Sequence, residues 1–145
     1  MTFGHEIDII KNAKVSCKIT WKEILTKEEA IGMAEHLEDA NVGHEIYLGK
    51  SNIGDAGAIG IAMQLKDANV GHKIYLDESN MGDSGVIGMA GYLKDAKARH
   101  YIHLALANIG DEGVIGMAEH LKDAKVSHKI EFYVEWDHWE DENKI

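Results

Sequence analysis

The chain has 145 residues, 45% hydrophobic and 28% charged, which is enough apolar material for one domain with a sizeable core and excludes a disordered chain. Twenty-five acids against 15 bases give a net charge of −10, which argues against nucleic acid as a partner, because phosphate contacts need clustered Lys and Arg. A single cysteine, Cys17, excludes an internal disulfide framework and fits a cytoplasmic, reducing setting; no apolar run approaches the roughly 20 residues of a membrane span, so no membrane role is expected.

Taken in chain order, residues 1–16 read as an N-terminal cap. Ile10 to Ser16 matches the later helix end from Leu121 to Ser127, which suggests a remnant helix over 3–12 with Phe3, Ile7 and Ile10 inward. Gly4 to Ile7 also matches Gly43 to Ile46, a strand start, so a capping strand is the close second alternative. Residues 17–43 form a first repeat, one residue shorter than the rest, with Thr26 and Glu29 in the spacing of a helix capping box. Full copies of 28 residues follow over 44–71, 72–99 and 100–127, and a last copy starts at His128 and breaks off.

Each copy opens with alternating apolar residues: Ile46 and Leu48, Ile74 and Leu76, Ile102 and Leu104, Ile130 and Phe132. A period of two predicts a short strand with one buried face. The second half predicts a helix, with Ile61, Ala62 and Leu65 (and their counterparts) on one face. Asp55, Asp83 and Asp111 are expected as N-caps, after tight turns at Gly54, Gly82 and Gly110. Residues 128–145 read as a C-terminal strand followed by an acidic cap, with Trp136 and Trp139 expected to fold over the last helix.

A strand and a helix alternating every 28 residues must give parallel strands, because each strand is re-entered through a helical crossover. One unit cannot bury its apolar face alone, but stacked units can. The expected fold class is therefore α/β: one short solenoid domain over 1–145, with a concave parallel sheet of about five strands and convex helices.

The run from Ile46, IYLxxSNIGDxGxxGIAxxLKDA, resembles a leucine-rich repeat, and its 28-residue period resembles the ribonuclease-inhibitor-like subclass. The resemblance covers about residues 17–136. It implies a horseshoe fragment, protein binding through the concave face and no catalytic residues. One departure stands out. The family places asparagine three residues after the second strand leucine; here that slot holds Ser51, Ser79 and Ala107, with Asn52, Asn80 and Asn108 one residue later.

Four features could carry chemistry. His44, His72, His100 and His128 form a ladder at the strand starts. A metal or proton-sensing stripe is one reading; their inward parity with Ile46 and Leu48 favours a structural one, so no metal and no cofactor are expected. On the outward parity, Tyr47, Tyr75 and His103 form a row, with Tyr101, Tyr133, Lys73 and Asp77 around it. Tyrosines make good anchors at low entropic cost, so these seven residues are the candidate partner-binding set. Gly32, Gly60, Gly88 and Gly116 recur inside the helices beside Ile31, Ile59, Ile87 and Ile115, and could form a convex interface row. The last strand could offer an open edge for a two-fold dimer.

Enzymatic constellations are missing: no phosphate loop, CxxC, HExxH or serine elbow occurs. The sequence thus predicts a non-enzymatic interaction module with a protein partner. The alternative is a self-associating unit, a homodimer through the C-terminal edge strand or the convex helix rows.

Overall fold

Every repeat folds as a strand followed by a helix, in the order β1 (Lys18–Thr20), α1 (Lys27–Glu38), β2 (Glu45–Tyr47), α2 (Gly54–Lys66), β3 (Lys73–Leu76), α3 (Asp83–Leu93), β4 (Tyr101–Ala105), α4 (Asp111–Leu121) and β5 (Lys129–Tyr133). The computed structural model describes residues 9–10, 12–21, 24–49, 51–77, 79–105 and 108–133, with the Tyr133 side chain outside that description. All strand pairs are parallel, in one sheet of order β1-β2-β3-β4-β5. The register follows the sequence period slot by slot: Ile19, Ile46, Ile74, Ile102 and Ile130 stand side by side. This is the α/β solenoid the repeat predicts.

The core lies between sheet and helices. Ile46, Leu48, Ile74, Leu76, Ile102 and Leu104 point into it from the strands; Met33, Leu37, Ile61, Leu65, Met89 and Leu93 meet them from the helices. Burying one such side chain stabilises by about 1.5–3 kcal/mol, and here the gain recurs with every repeat. Among the described residues, no helix is long and apolar enough to cross a membrane.

Thr26 and Glu29 make the expected capping box, with Glu29 N–H donating to Thr26 Oγ1 and Thr26 N–H to Glu29 Oε1, both at 3.1 Å. The expected aspartate caps are not formed. Ile53, Gly82 and Gly110 occupy the cap positions without side-chain bonds, and each aspartate is already inside its helix. Asp55 instead accepts the Gly82 N–H, and Asp83 the Gly110 N–H, both at 2.7 Å. These carboxylates tie one repeat to the next. They satisfy a helix-start donor, as a cap would, but that of the neighbouring helix. The first repeat holds Lys27 in the aspartate slot. Gly54 N–H therefore has no carboxylate behind it; it donates to Ser79 O at 3.0 Å, and Gly54 alone of the three adopts a left-handed φ of +64°.

The helix glycines also differ from expectation. They face the neighbouring helix, not the convex surface. A Cβ on Gly60 would lie 2.6 Å from Ile31, one on Gly88 2.5 Å from Ile59, and one on Gly116 2.7 Å from Ile87. Each isoleucine fills the socket of the next repeat's glycine, so the convex rows are internal packing. Two members are left over: Gly32, with nothing within 4 Å, and Ile115, 62% exposed.

At the N-terminus, Ile9, Ile10 and Asn12 are helical and Ile10 is fully buried. That favours the remnant helix for this stretch; Phe3 and Ile7 lie outside the described residues, as do Trp136, Trp139 and the acidic tail.

Candidate functional site

Two rows of rings cross the sheet, one on each face. The inner row is the histidine ladder. His44, His72 and His100 are buried, and their rings stack at 5.9 and 6.0 Å, with His128 at 5.7 Å beyond. Each Nδ1 accepts a backbone N–H from the preceding repeat: Cys17 to His44 at 3.1 Å, His44 to His72 at 3.0 Å, His72 to His100 at 3.1 Å and His100 to His128 at 3.0 Å. A backbone N–H can only donate, so Nδ1 carries no proton and Nε2 must. Each Nε2–H then donates to a carbonyl in the helix layer: Ile10, Leu37, Leu65 and Leu93 at 3.1, 3.1, 3.0 and 2.8 Å.

One neutral tautomer therefore fits the whole ladder. Burial pushes His72 and His100 down from 6.5 to about 4, against a smaller upward pull from the carbonyl bonds. His44 and His128 are lowered for the same first reason. With both ring nitrogens committed to the backbone, no lone pair is left for a metal. Among the described residues, no group of three or more His, Cys, Asp or Glu could hold one. Cys17 begins the ladder as a half-buried thiol whose Sγ lies 3.5 Å from Val15 O.

The outer row lies on the sheet face turned away from the helices, the face expected to be concave. Register aligns Thr20, Tyr47, Tyr75, His103 and Glu131 across the strands. Tyr47 and Tyr75 stack face to face at 4.2 Å and 4°. Tyr75 also meets His103 at 5.5 Å and Tyr101 at 5.7 Å in tilted contacts. The result is a continuous aromatic shelf over three strands. Offset and tilted ring pairs of this kind add about 0.5–1.5 kcal/mol each beyond area burial.

Charged groups fix the shelf's edges. Lys18 Nζ sits 4.8 Å above the Tyr47 ring; Lys73 and Lys129 approach the Tyr101 ring at 5.8 and 5.3 Å. Lys73 pairs with Glu45 at 3.4 Å and Lys129 with Glu131 at 3.6 Å. Tyr101 OH donates to Glu131, which raises the tyrosine and holds the carboxylate below its ordinary range. Desolvation first, then the bond to Tyr47, push Tyr75 up to about 12. His103 Nδ1 lies 2.5 Å from Asp77 Oδ1.

Six of the seven sequence-nominated residues thus meet in one place: Tyr47, Tyr75, Tyr101, His103, Lys73 and Asp77. Tyr133 pairs through its backbone with Ala105 at the edge. Lys18, Lys129, Glu45 and Glu131 complete the surface; their outward parity was the available signal. Asn80 Nδ2 donates to Asn52 Oδ1 at 2.6 Å, one residue after the slot that the resemblance assigns to asparagine, while Ser79 Oγ donates locally to Leu76 O at 2.7 Å.

Fold and face together define the class, a short leucine-rich-repeat-like solenoid that presents an aromatic shelf on its open sheet face. No protein-family model matches the chain, and no curated protein does. Among solved structures, the actin-binding site 2 of leiomodin-1 is similar, with a TM-score of 0.72 over 95% of this chain and 83% of that chain, at 17% identity. At that identity the likeness establishes the fold.

Proposed function

We propose that this protein is a non-enzymatic interaction module that binds a protein partner through its concave sheet. The observation that carries the reading is the Tyr47–Tyr75 stack, extended by Tyr101 and His103. These rings are half-buried, held by one another and by the lysines and carboxylates around them. A shelf fixed before binding loses little side-chain entropy on contact, which is what aromatic anchors contribute at interfaces. Lys73 and Asp77 lie beside the anchors; Tyr133 joins the proposed set on its sequence parity alone. The mixed charge suits a protein surface better than a phosphate backbone. A similar solenoid that is itself an actin-binding site supports protein binding by this architecture. The reading needs no cofactor, and the thiol of Cys17 suits a reducing, cytoplasmic setting.

The test is affinity capture with the full chain and with the Tyr47→Ala/Tyr75→Ala double variant, followed by titration of the purified captured protein. The expected result is binding at least about 30-fold weaker for the variant, the size of one hot-spot loss. Equal affinity for both forms would refute the concave site.

A further inference from the structure

The two ends of the solenoid are not equivalent. At the N-terminal end, the first repeat departs from the pattern that joins repeats: Cys17 replaces the histidine, Lys27 the aspartate and Glu29 the glycine of the slot shared by Gly57, Gly85 and Gly113. A Cβ on Gly85 or Gly113 would come within 2.5 Å of the preceding repeat's aspartate, so Glu29 leaves no room for such a carboxylate. Ile10 covers part of that end and accepts the His44 Nε2–H, as Leu37 does for His72.

At the C-terminal end, α4 and β5 keep the joining pattern and have no described neighbour. Ile115 is a knob without a socket. Ala118 is exposed and Leu121 half-buried, where Ala34, Ala62 and Ala90 and Leu37, Leu65 and Leu93 are buried. Ile130 and Phe132 are half-buried in slots that are closed in every inner strand. Beside this apolar face runs a five-residue edge strand.

The geometry points to a second copy of this chain as the occupant, joined through β5 in antiparallel register about a two-fold axis at Ile130. The hydrogen-bond parity allows it. Lys129 N–H donates inward to His100 O, so the amide groups of His128, Ile130 and Phe132 face the free edge. Three registers pair two or more of those groups. Pairing Ile130 with His128 of the second copy sets Lys129 against Lys129, which repels. Pairing Ile130 with Phe132 of the second copy sets Glu131 against Glu131, which repels. Pairing Ile130 with Ile130 sets His128 against Phe132 and places Lys129 opposite Glu131 twice, in the closer, non-hydrogen-bonded positions. Charge thus selects one register. That register continues both layers: the sheet becomes ten-stranded, five from each copy, and the two α4 helices lie side by side with Ile115 and Ala118 between them. It also brings two aromatic shelves onto one concave surface, which suits a partner with two equivalent binding patches.

Sedimentation velocity of the full chain, over a range of concentrations, tests this. The expected species has twice the 16.1 kDa chain mass. Ile115→Lys changes an exposed helix position, and Lys129→Glu sets like charges opposite each other; each should weaken dimerisation at least tenfold with the circular dichroism spectrum unchanged. The Lys129→Glu/Glu131→Lys swap restores the pairing and should recover the dimer to within threefold. A wild-type monomer at all concentrations would overturn the proposal, as would a dimer unmoved by either single change or a charge swap that fails to rescue.

Discussion

The histidine row and the tyrosine row cross the same sheet, one on each face, yet they are built oppositely. The inner row repeats one residue type and is held by backbone: every ring accepts one N–H and faces one carbonyl. The outer row changes at nearly every step, from Thr20 to Tyr47, Tyr75, His103 and Glu131, and is held by side chains. Repetition marks what the solenoid needs in order to stack. Variation at a shared register marks what is free to serve a partner. Changes in the inner row should therefore cost stability, and changes in the outer row should cost binding.

The largest expected effect is on the inner side. His72→Ala would leave His44 N–H and Leu37 O without partners and open a ring-sized cavity, a loss of about 4 kcal/mol by chemical denaturation. A variant as stable as the parent would break the comparison. Gly71→Ala tests the same stacking from the backbone. Its Cβ would lie 1.9 Å from Arg99 O, so a strand start must shift, at a cost of about 3 kcal/mol. Gly32→Ala, in open space, should instead stabilise by about 0.5–1 kcal/mol. The pair of midpoints should move in opposite directions.

Acid sharpens the contrast. His72 and His100 release their protons near 4 in the fold and near 6.5 when unfolded. Between those values the unfolded chain binds protons that the folded chain refuses. Stability is therefore full above pH 6.5 and falls as pH drops toward 4, by about 3 kcal/mol for each of these two rings. Urea midpoints at pH 7.5 and 4.5 measure it; equal midpoints would contradict a neutral ladder. On the outer face, Tyr75→Ala should cost about 1.5 kcal/mol of stability, because the ring is half-exposed and its three ring contacts then contribute about 0.5 kcal/mol each. Smaller again is Asp83→Ala, which deprives Gly110 N–H of its acceptor and should cost about 1 kcal/mol.

Most of the fold was legible in the sequence. The 28-residue period sets the strand register, and parity alone separates His72 from Tyr75. Contacts between repeats were less legible. Asp55 reads as a cap because its spacing suits one; whether it serves its own helix or the next depends on how helices sit side by side, which a single repeat does not encode. The same holds for Gly60 and Ile31, whose contact requires the helix phase as well as the period. The shelf's members were readable from alternation. Its anchoring by Lys18, Lys129 and Glu131 was not, because long side chains can lean along either direction of the sheet.

The most direct test of the account is a paired measurement on one identified partner, comparing its dissociation constant and the thermal midpoint for the parent and for Tyr47→Ala/Tyr75→Ala. The account predicts binding weakened at least about 30-fold while the midpoint falls by only a few degrees. An unchanged dissociation constant, or a binding loss explained entirely by unfolding of the variant, would contradict it.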